Sequence, residues 1–210
     1  MSNAHSQSEA PPGLILHAAG FYDFIVWIML LGRGRAFRED ILKLAGLQPG
    51  DTVLDVGCGT GTLAIAAKAH VGPNGSVTGI DASPEMLERA VKKARRAAAD
   101  VTFRLAAAQA LPFDDGQFDV VTSTVMLHHL PKPSRVQCFR EIVRVLKPQG
   151  RVLVVDFAKS GKRGHFGLSH RHGHTDPEQM TALVEGAGLR VAASGSVTSR
   201  GLHYVLGQRP

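Results

Sequence analysis

Residues Val53–Leu63 read VLDVGCGTGTL, an apolar run that ends in an acid and breaks into three glycines at alternate positions, Gly57, Gly59 and Gly61. Such a run is a short buried strand, the glycines form a tight loop that lets backbone approach a ligand closely, and the alanine-rich TLAIAAKAH after them is a helix. The same alternation continues outward. GSVTGI is a second strand, and Ser83–Pro84–Glu85 opens a helix over PEMLERAVKKARRAA, with serine at the cap and proline at the first helical position. VTFRL and FDVVTSTV are a third and a fourth strand. SRVQCFREIVRVL is a helix with apolar residues at Val136, Phe139, Ile142, Val143 and Leu146, and GRVLVVDF is a fifth strand. Strands alternating with helices of this length imply right-handed βαβ units and a parallel sheet.

The ends differ. Upstream, residues 14–31 read as an apolar helix stopped by GRGR, and a second helix runs over roughly 35–46 to Gly46. Downstream, helix 177–187 is followed by LRVAASGSV and LHYVLGQR, whose short connection allows an antiparallel hairpin and no crossover helix. The expected fold is therefore α/β: a doubly wound, mostly parallel seven-stranded sheet, Rossmann-like, with an antiparallel C-terminal hairpin. Residues 1–13 are expected to lack order, and 14–210 to form one domain with an N-terminal helical lid (14–46) and a His-rich insert (158–175).

Composition narrows the function classes. The 210 residues are 44% apolar and 20% charged, with a formal charge of +6, a mild bias toward anionic partners. Two cysteines, Cys58 and Cys138, stand in no metal or redox spacing, so a reducing cytoplasm is the expected setting. The N-terminus lacks a signal-peptide pattern, and the apolar run Phe24–Leu31 falls far short of the ~20 residues of a membrane span. Aromatic content of 6% leaves few stacking platforms, so no nucleic-acid partner is expected.

The glycine loop could serve several nucleotides. A phosphate-binding Walker loop needs a lysine and Ser/Thr after its last glycine, and GCGTGTL has neither that lysine nor the spacing. A dinucleotide fingerprint would put its third glycine at position 62, which is Thr62. Asp55, just before the loop, would repel a pyrophosphate and attract a cation. Asp81, ending the second strand in GIDAS, stands where a carboxylate accepts hydrogen bonds from both hydroxyls of a ribose. A ligand with a ribose, a positive amine and no phosphates fits this set, and S-adenosylmethionine is one.

In order and spacing, LDVGCGTG, GIDASPEML, LPFDDGQFDVV and LHHL resemble the class I S-adenosylmethionine-dependent methyltransferases, closest to the branch of the ubiquinone and menaquinone C-methyltransferases. The resemblance covers roughly residues 47–157. It implies that Gly57, Gly59 and Gly61, with Cys58 between them, underlie the methionine and ribose of S-adenosylmethionine. It also implies that Asp55 holds the amino group, Asp81 the ribose, and Ala82 and Met86 flank the adenine. Tyr22 matches a tyrosine that closes the cofactor site. One departure stands out. The acid that relatives place before LPF is absent, leaving Ala107 and Ala108, with the Ala108 backbone or Gln109 as substitutes at the adenine edge.

In an open α/β sheet the acceptor binds beyond the carboxyl ends of the strands, which puts Ser123, Thr124, His128 and Asp156 near the reacting methyl. Ser123 is counted with the cofactor contacts, and His128 and Asp156 are the candidate catalytic groups. A base is needed only where the acceptor must lose a proton; otherwise His128 and His129 order a loop, and Asp156 faces the acceptor or caps the next segment of chain. In the insert, His170, His172 and His174 alternate among basic residues. They read either as metal ligands or as a solvated lid, and no metal is assigned. Residues 24–31, with Trp27 ahead of Arg33, Arg35 and Arg38, read as a lid packed on the core or as a peripheral membrane contact. The expected activity is methyl transfer to a small, lipophilic acceptor, a quinol-like ring or a lipid head group. The competing readings are a non-catalytic S-adenosylmethionine-binding protein and an NAD-dependent oxidoreductase. Oligomeric state is left open.

Overall fold

A computed structural model describes residues 34–157, 176–197 and 201–210. The helix expected over 14–31, Tyr22, Trp27 and the His-rich insert lie outside the described residues.

Helix α1 (Gly34–Ala45) is closed by Gly46 in the left-handed region at φ 64°, where the absence of a Cβ removes the steric penalty. The alternating core comprises β1 (Thr52–Val56), α2 (Thr62–Val71), β2 (Ser76–Asp81), α3 (Pro84–Arg96), β3 (Thr102–Leu105), β4 (Phe118–Thr124), a 3₁₀ turn (Leu127–His129), α4 (Lys132–Val145) and β5 (Leu146–Phe157). The chain ends in α5 (Pro177–Gly186), β6 (Arg190–Val197) and β7 (Leu202–Gln208). The seven strands form one sheet in the order β3-β2-β1-β4-β5-β7-β6. The pairs among β1 to β5 are parallel, while β7 is antiparallel to both β5 and β6. The mostly parallel seven-stranded sheet with its antiparallel hairpin is the expected fold.

Each face of the sheet carries its own apolar cluster, because neighbouring side chains on a strand point to opposite sides. Leu54, Val56, Val121 and Val154 pack beneath α4 and α5 with Phe139, Ile142 and Met180. Val53, Val120, Leu153 and Val155 pack on the other face with Ile41, Leu42, Ala64 and Val71 from α1 and α2. The central strands are thus apolar on both sides, as a covered parallel sheet requires. Among the described residues, no helix is long and apolar enough to cross a membrane.

One boundary departs from expectation. The fifth strand begins at Leu146, not at Gly150: Leu146 pairs with Phe118, and pairing resumes at Arg151 opposite Val120 after a bulge. Lys147–Gln149, the stretch between the expected helix and strand, is accommodated by Gln149 at φ 63°.

Candidate active site

The glycine loop joins β1 to α2 at the carboxyl edge of the sheet. Gly57, Gly59 and Gly61 all have positive φ, at 74°, 52° and 74°. Space reinforces that requirement. A Cβ on Gly57 would fall 2.3 Å from Met126 Cγ, and one on Gly61 would fall 2.7 Å from the Phe103 ring. The loop is also tied down by backbone bonds, since the N–H groups of Gly57 and Cys58 donate to the Ile80 carbonyl at 2.9 and 2.8 Å.

Two carboxylates stand under this loop. Asp81 ends β2 and accepts the Gly59 N–H at 2.8 Å on one oxygen and the Ser83 N–H at 2.9 Å on the other. Those two bonds leave acceptor capacity on both oxygens. Burial pushes its pKa up, and the backbone bonds from Ser83 and Gly59 oppose that shift. Asp55, 3% exposed, accepts the Thr122 hydroxyl at 2.8 Å. Burial raises its pKa to about 7, against the pull of the Thr122 bond and with a further push from Asp81. Two crowded acids with raised pKa values form a site that repels phosphate and gains from a cation. The residues present therefore fit an adenosine that carries a positively charged amino acid.

Around this pair the expected contacts divide. Ser83 caps α3 as expected, its hydroxyl accepting the Met86 N–H at 3.3 Å; Ala82 is exposed and Met86 buried. Ala107, Ala108 and Gln109 lie after β3 in a loop that starts where the Ala106 N–H donates to the Asp81 carbonyl at 3.1 Å. That places the segment beside Asp81. Cys58 turns the other way. Its Sγ lies under the loop, 2.9 Å from where a Cβ on Gly79 would stand, and burial drives its thiol pKa well up. It packs as a small inert residue.

Beyond β4 the chain kinks at Val125, a β-branched residue held at φ 55° while its N–H donates to the Val155 carbonyl at 2.7 Å. The kink sets Met126 against Gly57 and carries His128 to Asp156. The Asp156 carboxylate is wholly buried. One of its oxygens accepts the His128 N–H at 2.8 Å. The other lies 2.8 Å from His128 Nδ1 and accepts the Phe157 N–H at 2.7 Å. Asp156 thus stands behind His128. The His129 ring lies against that of His128, tilted by 43° with centroids 3.9 Å apart. The hydroxyls of Ser123 and Thr124 are buried with no hydrogen-bond partner among the described residues. Among those residues no cluster of His, Cys, Asp and Glu could hold a metal ion.

Some of the machinery is invisible in the sequence. Thr122 meets Asp55 only through the β1–β4 register, which pairs those two residues directly. The loop 106–117 is cinched to α4 by a pair one turn apart on that helix. Glu141 accepts the Leu111 N–H at 2.8 Å, and Arg144 donates to the carbonyls of Leu111 at 2.9 Å and Phe113 at 2.7 Å. The i,i+3 spacing of an acid and a base is the one available signal, and it is common on exposed helices.

Known proteins bear the same stamp. Residues 53–150 match the family described as a methyltransferase domain. The chain is 36% identical over 145 residues to a demethylmenaquinone methyltransferase of Lactobacillus johnsonii, covering 68% of this chain and 59% of that protein. It is 35% identical over 159 residues to a ubiquinone/menaquinone biosynthesis C-methyltransferase of Bdellovibrio bacteriovorus, covering 76% of this chain and 66% of that one. The chain therefore spans about three-fifths to two-thirds of the length of these curated relatives. A crystal structure of a SAM-dependent methyltransferase from Aquifex aeolicus superposes with a TM-score of 0.71 at 26% identity, covering 81% of this chain and 88% of that one.

Proposed function

Because the chain belongs to the class I S-adenosylmethionine-dependent methyltransferases, we propose that it transfers a methyl group to a small lipophilic acceptor with a quinol-like ring. The carrying observation is the pair of crowded acids under a left-handed glycine loop, with Gly59 bonded to Asp81 and Asp55 raised to about 7. When bound, S-adenosylmethionine supplies a methyl already activated by its sulfonium. The protein's task is to align that methyl with the acceptor and exclude water.

In this reading Asp55 receives the amino group and Asp81 the ribose hydroxyls, through lone pairs its backbone bonds leave free. Gly57, Gly59 and Gly61 give the backbone its close approach. Ala82 and Met86 flank the adenine, whose edge meets the Ala108 backbone and Gln109, and Ser123 lines the cleft from β4. Tyr22, counted with the cofactor contacts, lies outside the described residues. The quinol-type acceptor draws its support from the names of the relatives, and a cytoplasmic setting suits two unpaired cysteines.

Incubation with methyl-labelled S-adenosylmethionine and a chemically reduced short-chain 2-prenyl-1,4-naphthoquinone tests this function. The expected result is label in the extracted naphthoquinol. Tight S-adenosylhomocysteine binding without label in that acceptor would remove the acceptor class and keep the cofactor. Absence of binding would remove both.

A further inference from the structure

We infer that His128 is the general base of the transfer and Asp156 its positioning residue, which assigns the acceptor to ring compounds bearing an ionisable hydroxyl. The inference rests on the methyl-transfer reading and deepens it.

The contacts bear on the ring's tautomer. Asp156 already accepts two backbone N–H groups, from His128 at 2.8 Å and from Phe157 at 2.7 Å. Toward the imidazole it is again an acceptor, so at 2.8 Å the Nδ1 atom of His128 carries the ring proton. A neutral imidazole with its proton on Nδ1 has a bare Nε2, the form that takes a proton. Asp156 also offers a negative charge to the imidazolium that results. The carboxylate is wholly buried, while the His128 side chain keeps 12% exposure. The Phe157 ring packs edge-on against the imidazole with centroids 5.2 Å apart. Among the described residues, the groups that share this environment are His129, its ring tilted against the imidazole, and Arg135 of α4, whose charge acts on Asp156.

The strain at Val125 points the same way. A β-branched residue at φ 55° costs energy, and it persists where the surrounding contacts over-determine it. Here the kink is what sets His128 above the end of β5. Loop ordering alone requires only the backbone bond from His128 to Asp156; the second bond, to the ring, selects a tautomer.

The transfer begins when Nε2 of His128 takes the hydroxyl proton, and the oxygen's electrons raise the nucleophilicity of the adjacent ring carbon. That carbon bonds to the methyl as the methyl–sulfur bond breaks, with the electron pair left on sulfur. The ring carbon then loses its own proton to solvent, and the oxygen recovers its proton from His128. One proton is released overall and the base is restored.

Two measurements test the inference on the whole protein. In the first, nitrogen-15 NMR of the S-adenosylhomocysteine complex, assigned with His128→Gln, should show protonated Nδ1 and bare Nε2. Asp156→Asn should disturb that preference. Protonated Nε2 in the unaltered protein would overturn the proposal whatever the acceptor. In the second, His128→Gln keeps a donor for Asp156 but offers no base. With the reduced prenyl-naphthoquinone it should lower kcat at least 100-fold while KM and S-adenosylhomocysteine affinity stay within about twofold. An unchanged kcat overturns the base role. Where the unaltered protein binds S-adenosylhomocysteine but leaves that quinol unmethylated, the acceptor class fails and the tautomer alone decides the base role.

Discussion

Asp55 has a pKa near 7 in the folded, ligand-free protein, against 3.8 as an ordinary carboxyl. A carboxyl raised in the folded state contributes stability below its unfolded pKa and loses it as pH climbs through the folded value. The ligand-free protein should therefore lose stability between pH 4 and 7, by on the order of 3 kcal/mol from this group. Asp55→Asn, which still accepts the Thr122 hydroxyl, should flatten that slope and be the more stable protein at pH 8, measured by urea unfolding. Ligand binding runs the other way. An ammonium beside Asp55 favours the anion, so S-adenosylhomocysteine should bind about tenfold more tightly at pH 8 than at pH 6. Equal affinities in calorimetry at the two pH values would separate the amino group from Asp55. At the loop itself, Gly57→Ala meets both a left-handed φ and Met126 Cγ at 2.3 Å. It should cost roughly 1–2 kcal/mol and weaken ligand binding beyond that loss. The acids and glycines were legible because their chemistry is local to one turn of chain. Thr122 was not, because 67 residues separate it from the carboxylate it serves.

At the scale of elements, α4 does more than cover the sheet. Its Glu141–Arg144 pair holds the loop after β3, and Arg144 also reaches Asp115 at 2.8 Å. Those acids hold the guanidinium pKa above its usual value. The loop presents Ala107–Gln109, the stretch lacking the family's acid, so its shape must be supplied by the clamp. Arg144→Ala should cost about 2 kcal/mol, a figure discounted for the partial exposure of the side chain. S-adenosylhomocysteine affinity should fall about tenfold, while homocysteine alone, which lacks adenine, shows no difference between the two proteins. A loss confined to stability would make the clamp purely structural. Element types and most boundaries were readable from apolar periodicity and caps, as Ser83 and Pro84 at the start of α3 illustrate. The early start of β5 was not, since Lys147–Pro148–Gln149–Gly150 has turn chemistry and only pairing with Phe118 reveals the strand. The bond between His128 and Asp156 was hidden for the same reason, each residue being visible alone.

For the whole molecule, the alternation of strands and helices dictated a covered parallel sheet, and the short link between β6 and β7 dictated a hairpin. Which hairpin strand joins β5 depended on burial. β7 brings the fully buried Val205 into the sheet, whereas the middle of β6, Ala192–Ser196, offers little apolar surface, and β6 takes the edge. The acceptor was not written in the glycine loop, which recognises only the methyl donor. The central claim is that Asp81, with its hydrogen bond from Gly59, makes this loop an adenosine site. Isothermal titration of the intact protein with S-adenosylhomocysteine, beside the Asp81→Ala protein checked for folding, tests it most directly. One site per chain with at least a 100-fold loss in the variant is the expected result; absence of binding, or equal binding by both proteins, would contradict it.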